Sequence, residues 1–538
     1  MSKQLKFDAD ARESLRRGVE KMARALKTTL GPRGNPVILD RGWGAPNVLD
    51  DGAAVADEIE LSDPYENVGA QMIKQAASKT GDDAGDGTTT AATLAEAIYA
   101  EGVKRVTAGA DPMALQRGIQ EAAEFVAAGL TKLARKVEGR RDWERVAAVA
   151  SKDPALGKFV AEALEKVGAE KGVITVEEGK STETEVKVVQ GMHFDRGYLS
   201  TSFITNEKEG LAELENPLIL IHEEKISTLA KLIPLLEKAA AAKRPLLIIA
   251  EDIESEVLAT LVVNKVRGVL NVCAVKAPGY GDRRKSMLED IAVLTGARAI
   301  MKDLGIDLEQ VELESLGGAK KVKITSEDTT ILEGRGKPAQ IEGRVASINA
   351  EIEETDSDYD REKLEERRAR LIGGVAEIRV GASTETEMKE RKSRAEDALS
   401  ATKAAIAEGI VAGGGTALLR AAASLGALKL DGEAQEGVDV VRAALDRPFR
   451  QICLNAGVDG SGVIRRILAE KSPAMGYDVD RGDVCDLVER GIIDPVRVVR
   501  TALQNAASVA GMLLTTVCVI VEDPDVKKEP AGHHGHHH

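Results

Sequence analysis

"RPLLIIAEDIESEVLATLVVNKVRGVLNVCAVKAPG", residues 244–279, decides the fold of the middle of the chain. A proline is followed by an unbroken apolar run, LLIIA. Such a run suits a strand buried on both faces of a parallel sheet. SEVLATLVVNKVRG (255–268) then reads as a helix, and VLNVCAVKAPG (269–279) as a second strand. Strand, helix and strand make a β-α-β unit, so the middle of the chain is α/β. Its helix carries more apolar residues than one packed stripe needs: Val257, Leu258, Leu261, Val262, Val263 and Val266. Either it is buried all round, or one face is open to apolar partners. Ile233, Leu235 and Leu236 on the preceding helix raise the same question.

Outward from this unit the text changes. In ESLRRGVEKMARALKTTLGP (13–32), Leu15, Val19, Met22 and Leu26 recur at helical spacing, and Gly31-Pro32 closes the run. NPVILD (35–40) and PNVLD (46–50) read as a strand hairpin. Helical text resumes to residue 130 and again from about 400 to 514, and TTVCVIV (515–521) reads as a strand. The charged stretch IEETDSDYDREKLEERRARL (352–371) reads as one long solvated helix. Gly191 and Gly373-Gly374 bracket the α/β region as candidate hinges. The economical reading is a helical domain built from both chain ends with a different domain inserted.

Bulk properties narrow the function. The 538 residues suggest three or four domains. Lys and Arg total 73 against 88 Asp and Glu, a net charge of −15, which matches nucleic acid poorly. Four scattered cysteines without a CxxC pair point to reduced, buried thiols. The polar start MSKQLKFDADARE is no signal peptide, and the longest apolar run, MLLTTVCVIV, is too short to span a membrane. A cytoplasmic protein is expected.

AGDGTTT (84–90) carries the chemistry. A glycine turn feeding a helix is an anion site, yet Asp86 already stands in it. A carboxylate 4 Å from a phosphate is repelled by roughly 4 kcal/mol at an effective dielectric of about 20. A hard cation between them reverses the sign, and magnesium is commonly held by one or two carboxylates plus phosphate oxygens. Asp86 then holds the metal while Gly87, Thr88, Thr89 and Thr90 face phosphates. A plain helix cap would place Asp86 there equally well.

The chain resembles the group I chaperonins, the GroEL family, along nearly its whole length. The resemblance rests on TLGPRG (29–34), DDGAAVADEIEL (50–61), GAQMIKQAASKTGDDAGDGTTTAATLAEAI (69–98), FDRGYLS (194–200), PLLIIAEDIESEVLATLVVNK (245–265), KAPGYGDRRK (276–285), SDYDREKLEER (357–367), AEDALSATKAAIAEGIVAGGG (395–415) and GIIDPVRVVRTALQNAASVAG (491–511). It implies a multidomain α+β, GroEL-like fold. A helical equatorial domain would come from 1–132 and 408–522, a small intermediate domain from 133–189 and 376–407, and an inserted α/β apical domain from 190–375, with 523–538 a disordered His-rich tail. It also implies an ATPase whose seven-membered rings, stacked in pairs, fold unfolded polypeptides with a GroES-like co-chaperonin lid.

By the same resemblance, ATP and Mg2+ bind at Thr29, Leu30, Gly31, Pro32, Asp86, Gly87, Thr88, Thr89, Thr90, Gly414, Asp478 and Asp494, with Asp494 on the ribose. Asp397 and Asp51 serve hydrolysis, and K+ sits on the backbone of Thr29 and Asp50. Tyr198, Ser200, Phe203, Ile233, Leu236, Leu258, Val262 and Val263 bind clients and lid. The chain departs from the family pattern at Asp50 (usually Lys), Asp478 (usually Asn), Ser202 (usually Tyr) and the glycine-rich 457–462. The tail departs too: His533, His534, His536, His537 and His538 replace Gly-Gly-Met repeats. Clustered imidazoles bind Zn2+, Ni2+ or Cu2+, unless the tail is an expression tag. These departures leave an alternative: a paralogue with weak ATP cycling that acts mainly by binding clients or metal.

Overall fold

A computed structural model describes residues 3–40, 46–49, 51–169, 172–179, 181–207, 209–355 and 357–522. The chain divides into two compact units, one from 1–162 and 382–538, the other from 163–381.

The first unit is helical. Helices Asp8–Lys27, Pro64–Ala84, Thr88–Thr107, Pro112–Leu133, Ala434–Ala444 and Val496–Thr515 share one core. The predicted stripe is its first wall, with Leu15, Val19, Met22 and Leu26 all buried. So few aromatics suffice because alanine and glycine let the helix backbones approach closely. A Cβ on Gly18 would lie 1.8 Å from the Glu66 carbonyl oxygen, and one on Gly118 would lie 1.9 Å from that of Ala434. The strands Lys3–Phe7 and Cys518–Glu522 pair antiparallel and bring the two ends of the described chain together. The expected hairpin is present, Val37–Leu39 against Asn47–Leu49.

The second unit is α/β. Its seven-stranded sheet runs Val272–Lys276, Leu246–Ala250, Leu218–Ile221, Gly317–Ile324, Thr329–Gly334, Gly191–Phe194, with Ala212–Glu215 also on Gly317–Ile324. The first three strands are parallel. Every residue of Leu246–Ala250 is buried, as its unbroken apolar run requires. Helix Ser255–Val266 is the crossover of the β-α-β unit. A second, three-stranded sheet pairs Val375–Val380 with Val173–Glu178 and Glu185–Val189. Gly191 and Gly374 both lie inside this unit.

One expectation fails here. Residues 352–371 are not one solvated helix but parts of two, Pro338–Glu354 and Asp358–Ile372. Ser357 starts the second helix by accepting the Asp360 N–H at 3.2 Å. Nor is the second helix merely solvated. Its Arg367 and the first helix's Arg344 both donate to the buried Asp290. A buried carboxylate requires such partners. Of the four cysteines, Cys273 and Cys453 are buried as free thiols, whereas Cys485 and Cys518 are partly exposed. Among the described residues no helix is long and apolar enough to cross a membrane.

Candidate functional site

Helix Pro64–Ala84 ends, and helix Thr88–Thr107 begins, within three residues. Gly85 has φ 74° and Gly87 φ 87°, both left-handed, a conformation that favours glycine. A Cβ on Gly85 would also sit 2.1 Å from the Ser400 side chain. Asp86 is therefore pinned between two residues that cannot readily be anything else. No side chain caps the helix at Gly87. The N–H groups of Thr88, Thr89 and Thr90 thus keep no partner within the helix, and the first such partnership is Ala91 with the Gly87 carbonyl at 2.9 Å. That is a bare, partly positive helix end.

Other elements converge on it. Asp51 caps helix Gly52–Glu58 by accepting the Ala54 N–H at 2.8 Å. A Cβ on Gly52 would meet the Thr89 hydroxyl at 2.0 Å and the Thr29 hydroxyl at 3.6 Å, so these residues crowd together. Asp494 lies on strand Ile493–Pro495, paired with Ile410–Ala412. A Cβ on Gly413 would come 3.0 Å from the Asp494 carboxylate, which also accepts the Gly414 N–H. Around Gly414, at φ 61°, a Cβ would find open space within 4 Å. Asp397 projects from helix Glu385–Glu408.

The electrostatics ties the carboxylates into one group. Burial pushes Asp397 up to about 8, with Asp86, Asp51 and Glu396 adding to it and Lys152 opposing. Burial and then Asp86 push Asp494 up to about 7, against the Gly414 N–H. Asp86 is raised by burial and by Asp51, opposed by the Gly87 N–H at 2.5 Å and by Lys152. Asp86, Asp397 and Asp494 are thus each held toward the protonated form by burial and acidic neighbours, and among the described residues Lys152 is the cation that bears on Asp86 and Asp397. A divalent cation would relieve the repulsion and favour the charged form of these three carboxylates. The donor set, carboxylate oxygens beside bare helix N–H groups, fits a hard metal ion with bound phosphate.

Three contributors escaped the sequence reading. Asn455 donates to the Lys27 and Leu30 carbonyls at 2.9 and 2.8 Å and so fixes the TLGPRG turn. The Ile452 side chain packs against Gly31 in the same turn. Lys152 takes a left-handed φ of 53° at the end of helix Gly139–Ser151. Within the turn Thr29 is buried, Leu30 half-buried and Pro32 exposed. Asp478 is buried, but its carboxylate is spent on its own hairpin turn, accepting the N–H groups of Asp480 and Arg481 at 3.0 and 3.2 Å. The hairpin meets the TLGPRG turn through Arg33 and Asp480 at 2.7 Å. Asp50 and the five tail histidines lie outside the described residues.

On the second unit the expected binding face divides. Val257 and Leu261 are buried, Leu258 and Val262 half-buried, and Val263 and Val266 are 45% and 72% exposed. The helix is therefore packed on one side and open on the other. Ile233 is open as well, at 41%, and Tyr198 and Ser200 are half-buried. Phe203 and Leu236 are corrections to the expected surface. Phe203 has no exposed area and Leu236 only 9%, because both pack into the core under the seven-stranded sheet.

Comparison with known proteins shows what the whole chain is similar to. A family profile described as the TCP-1/cpn60 chaperonin family matches residues 22–524. Chaperonin GroEL 1 of Rhodopirellula baltica is 58% identical over 543 residues, covering all of this chain and 95% of that protein.

Proposed function

The chain belongs to the TCP-1/cpn60 chaperonin family and is an ATP-dependent protein-folding chaperone with ATPase activity; from that premise we propose how its residues divide the work. One observation carries the proposal: Asp51, Asp86, Asp397 and Asp494 crowd one another beside the uncapped start of helix Thr88–Thr107. Asp86 would hold Mg2+, which neutralises phosphate charge when bound. Thr88, Thr89 and Thr90 present N–H groups and hydroxyls to the phosphates, and Gly87, whose N–H is engaged by Asp86, offers close backbone approach. Thr29 to Pro32 and Gly414 offer close backbone approach, and Asp494 receives the ribose hydroxyls. Asp478, already engaged in its turn, can flank the base only through its outer oxygen or its backbone. The Thr29 backbone is the candidate for K+.

Asp397 orients the attacking water, with Asp51 beside it. A group with its proton held to about pH 8 is not free to act as a base at neutral pH, and it becomes free when a bound cation lowers that value. Catalytic competence would thus arrive with the metal-bound nucleotide. The open side of helix Ser255–Val266 with Ile233 would take unfolded chains and the co-chaperonin. Its contacts are non-directional and suit many clients. Two stacked seven-membered rings, a cytoplasmic location and the five-part domain division complete the proposal.

The test is ATP turnover by the assembled protein, with and without co-chaperonin, beside refolding of a denatured client. ATP-dependent refolding that needs Mg2+ is expected. Refolding indifferent to nucleotide would overturn the assignment of this cleft.

A further inference from the structure

Helix Thr416–Ser424 opens directly from the loop Gly413–Gly415 and carries Arg420 about one turn along. The loop belongs to the acid cleft. Gly413 donates to the Ile492 carbonyl at 3.0 Å, and the Gly414 N–H reaches Asp494. Arg420 is half-buried, and its guanidinium is spent on backbone. It donates to the Met475 carbonyl through Nη2 at 2.7 Å and through Nε at 3.3 Å. Nη2 also donates to the Ile467 carbonyl at 3.0 Å, and Nη1 to that of Glu470 at 3.1 Å.

These carbonyls come from two elements. Ile467 and Glu470 close helix Gly460–Ala469, and Met475 begins strand Met475–Asp478. The carbonyls of a last helical turn carry partial negative charge, so a cation belongs there. A lysine would serve for that alone, whereas a planar fork can also hold the strand. That strand pairs with Asp483–Asp486, and the hairpin so formed bears Asp478 at its turn. Little else lies beneath it. Tyr477, Val479 and Val484 pack on a core of six buried residues, Leu419 and Phe449 among them. At Gly476 the strand presses on the first residue of the helix, where a Cβ would lie 2.6 Å from the Thr416 hydroxyl. One guanidinium therefore ties the hairpin to the helix that opens from the Gly414 loop.

We propose that Arg420 is a positioning residue for the nucleotide: without touching it, Arg420 fixes the Asp478 hairpin against the Gly414 loop and so sets the gap that takes base and ribose. This rests on the nucleotide reading of the acid cleft. The phosphate end does not depend on Arg420, because Asp86 and Thr88 to Thr90 are placed by helices Pro64–Ala84 and Thr88–Thr107.

The test is ATP hydrolysis by the assembled full-length protein, with KM and kcat separated, for the wild type, Arg420→Gln, Arg420→Lys and Asp86→Ala. Arg420→Gln should raise KM for Mg-ATP about tenfold and leave kcat within about threefold, the signature of lost binding rather than lost chemistry. Arg420→Lys keeps the charge and part of the contact, and should raise KM less. Mg-tripolyphosphate carries the phosphate end alone, so its inhibition constant should be the same in the wild type and Arg420→Gln. A role confined to holding the fold would move KM, kcat and tripolyphosphate inhibition together. Should Arg420→Gln fail to fold, Arg420→Lys must show the same split. An unchanged KM, a kcat that falls as far as KM rises, or tripolyphosphate weakened as much as ATP overturns the proposal. Asp86→Ala tells the two readings apart. If it leaves Mg-ATP affinity untouched, the cleft reading itself falls. If it weakens ATP while Arg420→Gln does not, only the role of Arg420 falls.

Discussion

The acid cleft of the first unit and the apolar rim of the second are built on opposite principles. In the cleft, charged groups are forced into proximity: two left-handed glycines pin Asp86, and burial holds a proton on Asp397 up to about pH 8. On the rim, apolar groups are left without cover: Val263 and Val266 stand open while their neighbours Val257 and Leu261 are buried. Both arrangements cost free energy in the free protein, and each is relieved by a ligand of matching chemistry. The cleft accepts a cation with phosphate, in a fixed geometry. The rim accepts apolar chain of any sequence. Strain of the first kind makes a specific site, and exposure of the second kind makes a promiscuous one.

The sharpest way to break this comparison is at Asp397. If it acts only by orienting water, Asp397→Ala binds Mg-ATP nearly normally and hydrolyses it about 100- to 10,000-fold more slowly. Single-turnover hydrolysis beside an ATP titration reads both quantities. Loss of binding as severe as the loss of hydrolysis would make Asp397 a ligand of the metal, no different in role from Asp86.

The rim offers the next largest effect, because the structure moved two residues out of it. Phe203→Ala should destabilise the fold by about 3–5 kcal/mol, the usual cost of emptying a buried aromatic site. Leu258→Ser with Val263→Ser should destabilise the fold far less than Phe203→Ala and abolish capture of unfolded protein, with ATPase intact. Denaturant unfolding and client binding on the same two samples separate core from surface. Stable Phe203→Ala protein that has lost capture would return Phe203 to the binding face.

Asp86→Ala comes third. Removing one charged ligand should weaken Mg-ATP binding by about 10- to 100-fold, the worth of a hydrogen bond or contact to a charged group. Titration at two magnesium concentrations checks it. Affinity that no longer depends on magnesium in the wild type would deny Asp86 its metal.

The two regions also differ in how far the sequence reveals them. Gly85 and Gly87 are legible because left-handed backbone favours one residue type, so the spacing itself discloses the turn. The buried strand Leu246–Ala250 is legible for a similar reason, since an unbroken apolar run has few other uses. Phe203 and Leu236 were not legible: an apolar residue near a surface looks the same whether or not a neighbouring segment covers it. Asn455 was hidden differently, since at a helix end it reads as a cap, and its carbonyl partners lie more than 420 positions away. The break between helices Pro338–Glu354 and Asp358–Ile372 was in view, with Ser357 placed to start a helix, but continuous charge masked it.

The smallest predicted effect tests the cleft without nucleotide or metal. A carboxyl raised to about 8 by burial and its acidic neighbours keeps its proton in the folded state and loses it above pH 4 once unfolded. The folded state then binds more protons than the unfolded one across the whole interval, so its stability falls as pH rises from about 4 to about 8. This is opposite in sign to a salt-bridged aspartate, which stabilises at high pH and is lost in acid. Asp397→Asn keeps the shape and removes the titration. In metal-free buffer it should come nearest the wild type at about pH 4 and melt progressively higher than it toward pH 8, by on the order of a few °C. Added Mg-ADP should shrink the difference, because a cation between the carboxylates removes the cause of the shift. Melting curves at the two pH values, with and without Mg-ADP, decide it. A wild type as stable as the variant at pH 8 without metal would mean that Asp397 ionises freely and that burial and its acidic neighbours do not hold its proton.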